Sequence, residues 1–340
     1  MSERILLVRM SSLGDVIHAT PVARGLKRVM PDCHLTWFVR EACAPVLEGN
    51  PYLDDQIVVP SRMGVSDCLK IWWRLKAGDY TIAIDLEGIL KGAGVTYVTG
   101  APRRIGSAGA PPVPKFAYTE ECPSLDERDY ISQRYLADCD ALGVDLSDYR
   151  PEMFLREDEL REAAETLAEC GLDGPEPVIA TVVFSRDPKC EWPDDSLVEF
   201  GDIMARELGA RIFIPGTEAE RPRAAAIAGR MRHPATVVAG RTTFRQAVAL
   251  LKRADLVVGV DTGLTHAAYA VDAPVVSLIG RTESWYGPKG PRARTLRVPG
   301  LDCRPCSRHD TCDDPTCMTG ITPRMAADAA LELAEAIGLT

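Results

Sequence analysis

"ADLVVGVDTGLTHAAYA", residues 254–270, reads as a buried strand that turns directly into a helix. Leu256–Val260 is apolar throughout, as a strand covered on both faces requires. A helical pattern follows at once, and Asp261, Thr262 and Gly263 stand at the change. In doubly wound sheets, ligands bind at the carboxyl ends of the strands. The first turn of a helix also offers free N–H groups to an anion. Gly263 lets an anion come close to the backbone, and Leu264 completes the turn. An aspartate repels phosphate but accepts hydrogen bonds from sugar hydroxyls. Asp261 with the amides of residues 262–264 therefore fits a ligand that is part sugar and part phosphate. The plainer reading is a helix N-cap, with His266 a buried and satisfied histidine.

The same rhythm extends in both directions. "PVIATVVF" (177–184), "ARIFIP" (210–215), "ATVVAG" (235–240) and "APVVSLIG" (273–280) are strand-like runs of the second half. "RILLVRM" (4–10), "HLTWFVR" (34–40), "DQIVVP" (55–60) and "YTIAIDL" (80–86) are those of the first. Helical patterns such as "SLVEFGDIMARELG" (196–209) and "FRQAVALLKRA" (244–254) lie between them. Short apolar runs alternating with helices imply an α/β chain with parallel, doubly wound sheets. A length of 340 residues suits two such domains. The expected boundaries are 1–172 for the first domain and 177–322 for the second. The stretch 323–340 is expected as a C-terminal helix packing back towards the first. Residues 106–129, rich in Pro, Gly and Ala, break the rhythm and are expected as a loop.

Composition narrows the function classes. Charged residues make up 26% and the apolar set 46%, which is globular and not disordered. No apolar run approaches the roughly 20 residues that cross a bilayer. The first ten residues read as a strand, not an export signal, so a cytoplasmic protein is expected. A net charge of -10 argues against nucleic acid as a partner. The charge is uneven, however. Residues 62–115 hold eight Lys/Arg against four Asp/Glu, +4 locally, which leaves -14 for the rest. Such a face suits an acidic partner as well as ordinary surface scatter.

Two more strand ends carry chemistry. "RMSSLGDVIHATP" (9–21) places Ser11, Ser12 and Gly14 in a tight loop with Asp15 at the mouth of a helix. Asp15 suits an N-cap and, equally, a general base. A helix that begins there meets Pro21 inside it, and a kink is expected. In "SRDPKCEWP" (185–193), Ser185 and Lys189 follow a strand directly. A lysine there holds a phosphate as a point charge, or is an ordinary surface lysine.

"RMSSLGDVIHATP", "GRTTFRQAVALLKRADLVVGVDTGLTHAA" and "PVVSLIGRT", in this order and spacing, resemble glycosyltransferase family 9, the lipopolysaccharide heptosyltransferases. The resemblance runs along nearly the whole chain. It implies a GT-B fold: two Rossmann-like domains facing a central cleft, acceptor on the first and nucleotide sugar on the second. It implies an inverting transfer of heptose from ADP-heptose to the inner core of lipopolysaccharide, with no metal or other cofactor in catalysis. The acceptor would be a lipid-linked anionic sugar at the inner face of the inner membrane. By the same resemblance, Asp15 matches the base, Lys189 a phosphate-binding lysine, Asp261 a sugar-binding aspartate, and Thr262, Gly263 and Leu264 the diphosphate amides. Ser185 and His266 join them as donor-side residues. Met10 stands where a small polar residue is usual, and Lys189 and Trp192 are one residue farther apart than in the pattern. A relative with another donor or acceptor, and an inert sugar-nucleotide binder, are the alternatives.

Eleven cysteines remain, and a reducing compartment argues against a disulfide framework. "CRPCSRHDTCDDPTC" gathers Cys303, Cys306, Cys312 and Cys317 at a spacing that suits a structural zinc or iron, with His309 as a substitute ligand. Free thiols in a Pro-rich loop are the plainer reading. A "DxD" string, Asp138–Asp140, falls in a helical pattern and is expected to be a solvated face.

Overall fold

The computed structural model describes residues 2–107, 115–122, 130–233, 235–282, 284–303, 306, 312–313 and 315–339. Among them the chain forms two compact units, Met1–Phe154 and Leu155–Thr340. The first unit contains strands β1 (Arg4–Val8), β2 (His34–Arg40), β3 (Asp55–Val59), β4 (Ile82–Asp85), β5 (Arg103–Ser107) and β6 (Glu120–Cys122). Its helices are α1 (Leu13–Val29), α2 (Val65–Ala77), α3 (Leu90–Thr99) and α4 (Ile131–Ala137). The second unit opens with helix α5 (Glu157–Glu169) and strands β7 (Val178–Val182), β8 (Arg211–Ile214) and β9 (Thr236–Val237). It continues with β10 (Leu256–Val260), β11 (Val275–Leu278) and β12 (Ala293–Leu296). The remaining helices are α6 (Asp194–Leu208), α7 (Arg221–Ala228), α8 (Phe244–Arg253), α9 (Gly263–Ala270), α10 (Thr316–Thr319) and α11 (Pro323–Ala336).

Each unit holds one parallel six-stranded sheet, ordered β3-β2-β1-β4-β5-β6 and β12-β11-β10-β7-β8-β9. Both orders reverse once, between β1 and β4 and between β7 and β10. These reversals are the topological switch points at which doubly wound sheets open a crevice. The central strands are buried on both faces: β7 and β10 have no exposed residue. Gly259 in β10 answers to a close approach. A Cβ there would lie 2.3 Å from Thr265 Oγ1, whose hydroxyl donates to Val260 O at 2.7 Å. The glycine thus lets α9 fold back against its own strand.

The strands β5, β6 and β12 were not visible as apolar runs. They are polar edge or near-edge strands, and β6 lies inside the expected loop 106–129, paired with β5. The division of the chain lies at 154/155, not at 172–177, and two buried arginines explain it. Arg24 of α1 holds Asp148 through two nitrogens at 2.7 and 2.8 Å and Glu152 at 2.5 Å. That ties the segment up to residue 154 to the first unit. Arg245 of α8 holds Glu159 of α5 at 2.5 and 2.7 Å, with both side chains buried. Losing either partner would leave a buried charge, at a cost of about 3–5 kcal/mol. Helix α5 therefore belongs to the second unit. So does α11, which packs on α6, β11 and β12 and gives Ala326, Ala330 and Leu333 to that unit's core. The C-terminal helix expected at 323–340 is therefore α11, built into the core of the second unit. Pro21 sits inside α1. It deprives Ile17 O of its helical donor, and Thr20 Oγ1 supplies one at 2.8 Å.

Candidate active site

In the first unit the site grows from the two strands flanking the switch point. Ser12, not Asp15, is the N-cap of α1. Asp15 lies one turn further in and reaches back, its Oδ2 accepting from Ser12 N at 3.0 Å and Ser12 Oγ at 2.7 Å. Its other oxygen, Oδ1, accepts from Tyr135 OH of α4 at 3.1 Å and pairs with Arg9 Nη2 at 2.9 Å. So the carboxylate is oriented from four directions while keeping part of its surface open to solvent. Arg9 follows β1 and is anchored by Nη1 to Leu86 O at 2.7 Å, with its guanidinium over the Tyr135 ring. Glu87, just after β4, accepts from Met10 N at 2.9 Å and lies 3.8 Å from Arg9 Nε. One guanidinium is thus shared between two carboxylates, which leaves the trio with a net charge of -1.

Behind this trio sits Asp85, the last residue of β4, fully buried. Its Oδ1 accepts from Glu87 N at 2.8 Å and its Oδ2 from Tyr118 OH at 2.6 Å. Burial raises its pKa, against the lowering effect of these hydrogen bonds. Asp138 corrects the expectation of a solvated face: it is buried, whereas Asp140 is exposed. Burial, and then the charge of Asp85, push the Asp138 carboxyl up to about 7, against Arg134 and Arg9. The sign of its effect on stability follows. The folded chain holds this proton more tightly than the unfolded chain, whose aspartates titrate at about 3.9. The neutral form's contribution is complete below that value and is lost as pH rises through about 7. Asn cannot ionise. Asp138→Asn should therefore gain melting temperature relative to the native chain between about pH 5 and about pH 8. Thermal unfolding at both values checks this, and a gap independent of pH would contradict it.

In the second unit three neighbouring strands bring their carboxyl ends together. Asp261 follows β10, its Oδ1 in contact with His266 Nε2 at 2.9 Å and its Oδ2 accepting from Thr282 Oγ1. Burial raises its pKa, but the contacts with His266 and Thr282 and the charge of Arg281 outweigh that and lower it. Asp261 is therefore held as a carboxylate. Thr262 is the N-cap of α9, and its side chain makes no capping hydrogen bond. Gly263 and Leu264 are the first helical residues, where N–H groups have no acceptor within the helix. After β11 come Arg281 and Thr282. Arg281 pairs with Asp187 at 2.5 Å, and Arg297 donates to Thr282 O at 2.7 Å.

After β7 come Ser185 and the short turn Pro188–Cys190 that carries Lys189. Ser185 N donates to Glu191 Oε1 at 2.9 Å, and Lys189 N donates to Asp187 Oδ1 at 3.0 Å. The Arg281–Asp187 ion pair ties this turn to the segment after β11, whose Thr282 donates to Asp261. Burial pushes the Cys190 thiol up to about 12, so it is no nucleophile.

The structure thus brings Ser185, Lys189, Asp261, Thr262, Gly263, Leu264 and His266 to one edge of one sheet, and Asp15 to the same edge of the other. Arg9, Glu87 and Tyr135 around Asp15, and Arg281 and Thr282 around Asp261, were missed. Four of these five stand within four residues of a strand's carboxyl end, so the strand-end rule that singled out Asp15 reaches them too. Tyr135 carries no such signal.

The cysteine expectation does not hold in the same way. Among the described residues no group of three or more His, Cys, Asp or Glu is placed to hold a metal ion. Cys317 lies in α10 and packs on the second unit's core, and a Cβ at Gly280 would meet its Sγ at 3.3 Å. Cys303 is exposed, and Cys306 and Cys312 are half-buried. His309 lies outside the described residues. Among those residues, too, no helix is long and apolar enough to cross a membrane.

Known proteins of one family resemble this chain in sequence and fold. The family model described as glycosyltransferase family 9 (heptosyltransferase) matches residues 68–316. Lipopolysaccharide heptosyltransferase 1 of Pseudomonas aeruginosa is 27% identical over 95% of this chain and 96% of its own. Among solved structures, a family 9 glycosyl transferase from Veillonella parvula superposes with a TM-score of 0.86 at 22% identity, covering 98% of both chains. Escherichia coli heptosyltransferase WaaC, solved with ADP-2-deoxy-2-fluoro heptose, gives 0.70 at 20% identity, covering 97% of this chain and 99% of its own. With the two doubly wound sheets, these likenesses make the fold GT-B.

Proposed function

The chain belongs to glycosyltransferase family 9, and from that premise we propose that it transfers a heptose from ADP-heptose to an inner-core sugar of lipopolysaccharide. The observation that carries this reading is the mouth of α9. A largely buried carboxylate, Asp261, fixed by His266 and Thr282, stands beside helix amides free to take an anion. Such a site suits a sugar on one side and a diphosphate on the other. The relatives named for heptose transfer supply the sugar's identity.

In the proposed reaction Asp15 takes the proton of an acceptor hydroxyl as that oxygen attacks the anomeric carbon. The bond from that carbon to the ADP diphosphate breaks on the opposite face, which inverts the configuration. Lys189 and the amides of Gly263 and Leu264 meet the charge that grows on the leaving diphosphate. No metal is needed for this step. The acceptor is a lipid-linked anionic sugar at the inner face of the inner membrane, which makes the protein cytoplasmic and peripheral.

A thermal-shift screen of nucleotide sugars tests the donor. ADP-heptose near 100 times its Kd should add about 2.7 kcal/mol of stability. A shift with GDP- or UDP-sugars and none with ADP-heptose would overturn the assignment.

A further inference from the structure

Helix α2 has two apolar faces, and the first unit's core covers only one. Leu75 is its one buried residue, with Ile71 half-buried one turn before it. Away from these runs a second stripe. Val65, Leu69, Trp72 and Trp73 recur at i, i+4, i+7 and i+8, the spacing of a single helical face. They are 80%, 56%, 41% and 65% exposed. The two indoles pack edge to face, 5.0 Å apart. Helix α3 lies alongside α2 and adds Leu90, 67% exposed. Tryptophan is a strongly buried residue type on average, so two of them in water mark a contact surface.

The charge around the stripe says what it contacts. Arg62, Lys70 and Lys76 are exposed beside it. Of the four acids in residues 62–115, Asp85 and Glu87 have buried side chains. Arg74 and Arg103 pair with Asp55 and Glu120, acids outside that stretch, so the basic character beside the stripe rests on Arg62, Lys70 and Lys76, on a chain of net charge -10. Indole rings rimmed by Lys and Arg match the headgroup level of a bilayer, where rings insert and ammonium groups stay on the phosphates.

We propose that α2 seats the first unit on an anionic lipid surface, with Trp72 and Trp73 among the headgroups and Lys70 and Lys76 on lipid phosphates. The proposed function gives this contact its purpose, since a lipid-linked acceptor lies at such a surface. The contact itself is tested without any sugar chemistry.

Sedimentation of the full chain with vesicles is the test. The native chain should pellet with phosphatidylglycerol–phosphatidylcholine vesicles and stay in solution with phosphatidylcholine alone. Replacing both indoles, Trp72→Ser with Trp73→Ser, should weaken vesicle binding by about tenfold or more. Lys70→Glu with Lys76→Glu should weaken it too, and the loss should grow at low salt. Circular dichroism verifies that each variant is folded. Absence of the native chain from anionic pellets, or equal pelleting of native and Trp variant, would overturn the proposal. So would a dimer that the Trp variant abolishes, in a chain that ignores vesicles. Vesicle binding by a chain that transfers no heptose would sink the proposed function and leave this contact standing.

Discussion

Asp15→Asn is expected to lower kcat by roughly 10²- to 10⁴-fold, the usual contribution of a general base. Under the proposed function Asp15 takes the acceptor's proton, which an amide cannot do. The structure adds a modest folding cost. Arg9 and Tyr135 approach Oδ1, and Arg9 can only donate. The amide oxygen must therefore turn to Arg9, which leaves the amide nitrogen facing Ser12 N and Oγ. The hydroxyl can reverse and accept, but the Ser12 N–H loses its partner, at a cost of about 1 kcal/mol. A small drop in melting temperature should accompany the large drop in rate. ADP-heptose binding should be unchanged, because the proposed donor residues belong to the second unit. Steady-state kinetics, thermal unfolding and donor titration separate these effects. A variant that turns over like the native chain would leave Asp15 as a brace of the first turn of α1.

Most of the fold was readable because its central strands are apolar for their whole length. "LVVGV" and "ILLV" sit at the middle of their sheets and meet a covering layer on each side. "RRIGS", "EEC" and "ARTL" were not readable. Strands at or near an edge need less apolar surface, so their side chains report no strand. The domain boundary was missed for a related reason. Helix α5 is so heavily charged that it looks like a linker, and what assigns it is Glu159 meeting an arginine 86 residues away. Position after a strand singled out Asp15, Lys189 and Asp261 as candidates. It could not say that Arg9 and Glu87 would converge, because β1 and β4 are neighbours in the sheet but 77 residues apart in the chain. Asp138 misled for lack of the same information: a charged residue in a helical pattern reads as solvated until a layer covers it.

Asp261→Ala should abolish the sugar's share of donor affinity and spare the nucleotide's. Under the proposed function the carboxylate holds sugar hydroxyls, and the amides of Gly263 and Leu264 hold the diphosphate. Each oxygen of Asp261 already has one protein partner, His266 or Thr282, and a carboxylate oxygen can accept a second hydrogen bond. Hydrogen bonds to a charged acceptor contribute about 1.5–3 kcal/mol each, so ADP-heptose should bind roughly 10- to 100-fold more weakly or worse. ADP alone should bind nearly as before. Alanine also strips His266 and Thr282 of a buried partner, so some stability goes with it. Asp261→Asn controls for that, since an amide still meets both groups while losing the charge. Calorimetric titration with ADP and with ADP-heptose reads the two shares separately. Equal losses for both ligands in the Asn variant would mean that Asp261 only props the mouth of α9, and that the sugar is held elsewhere.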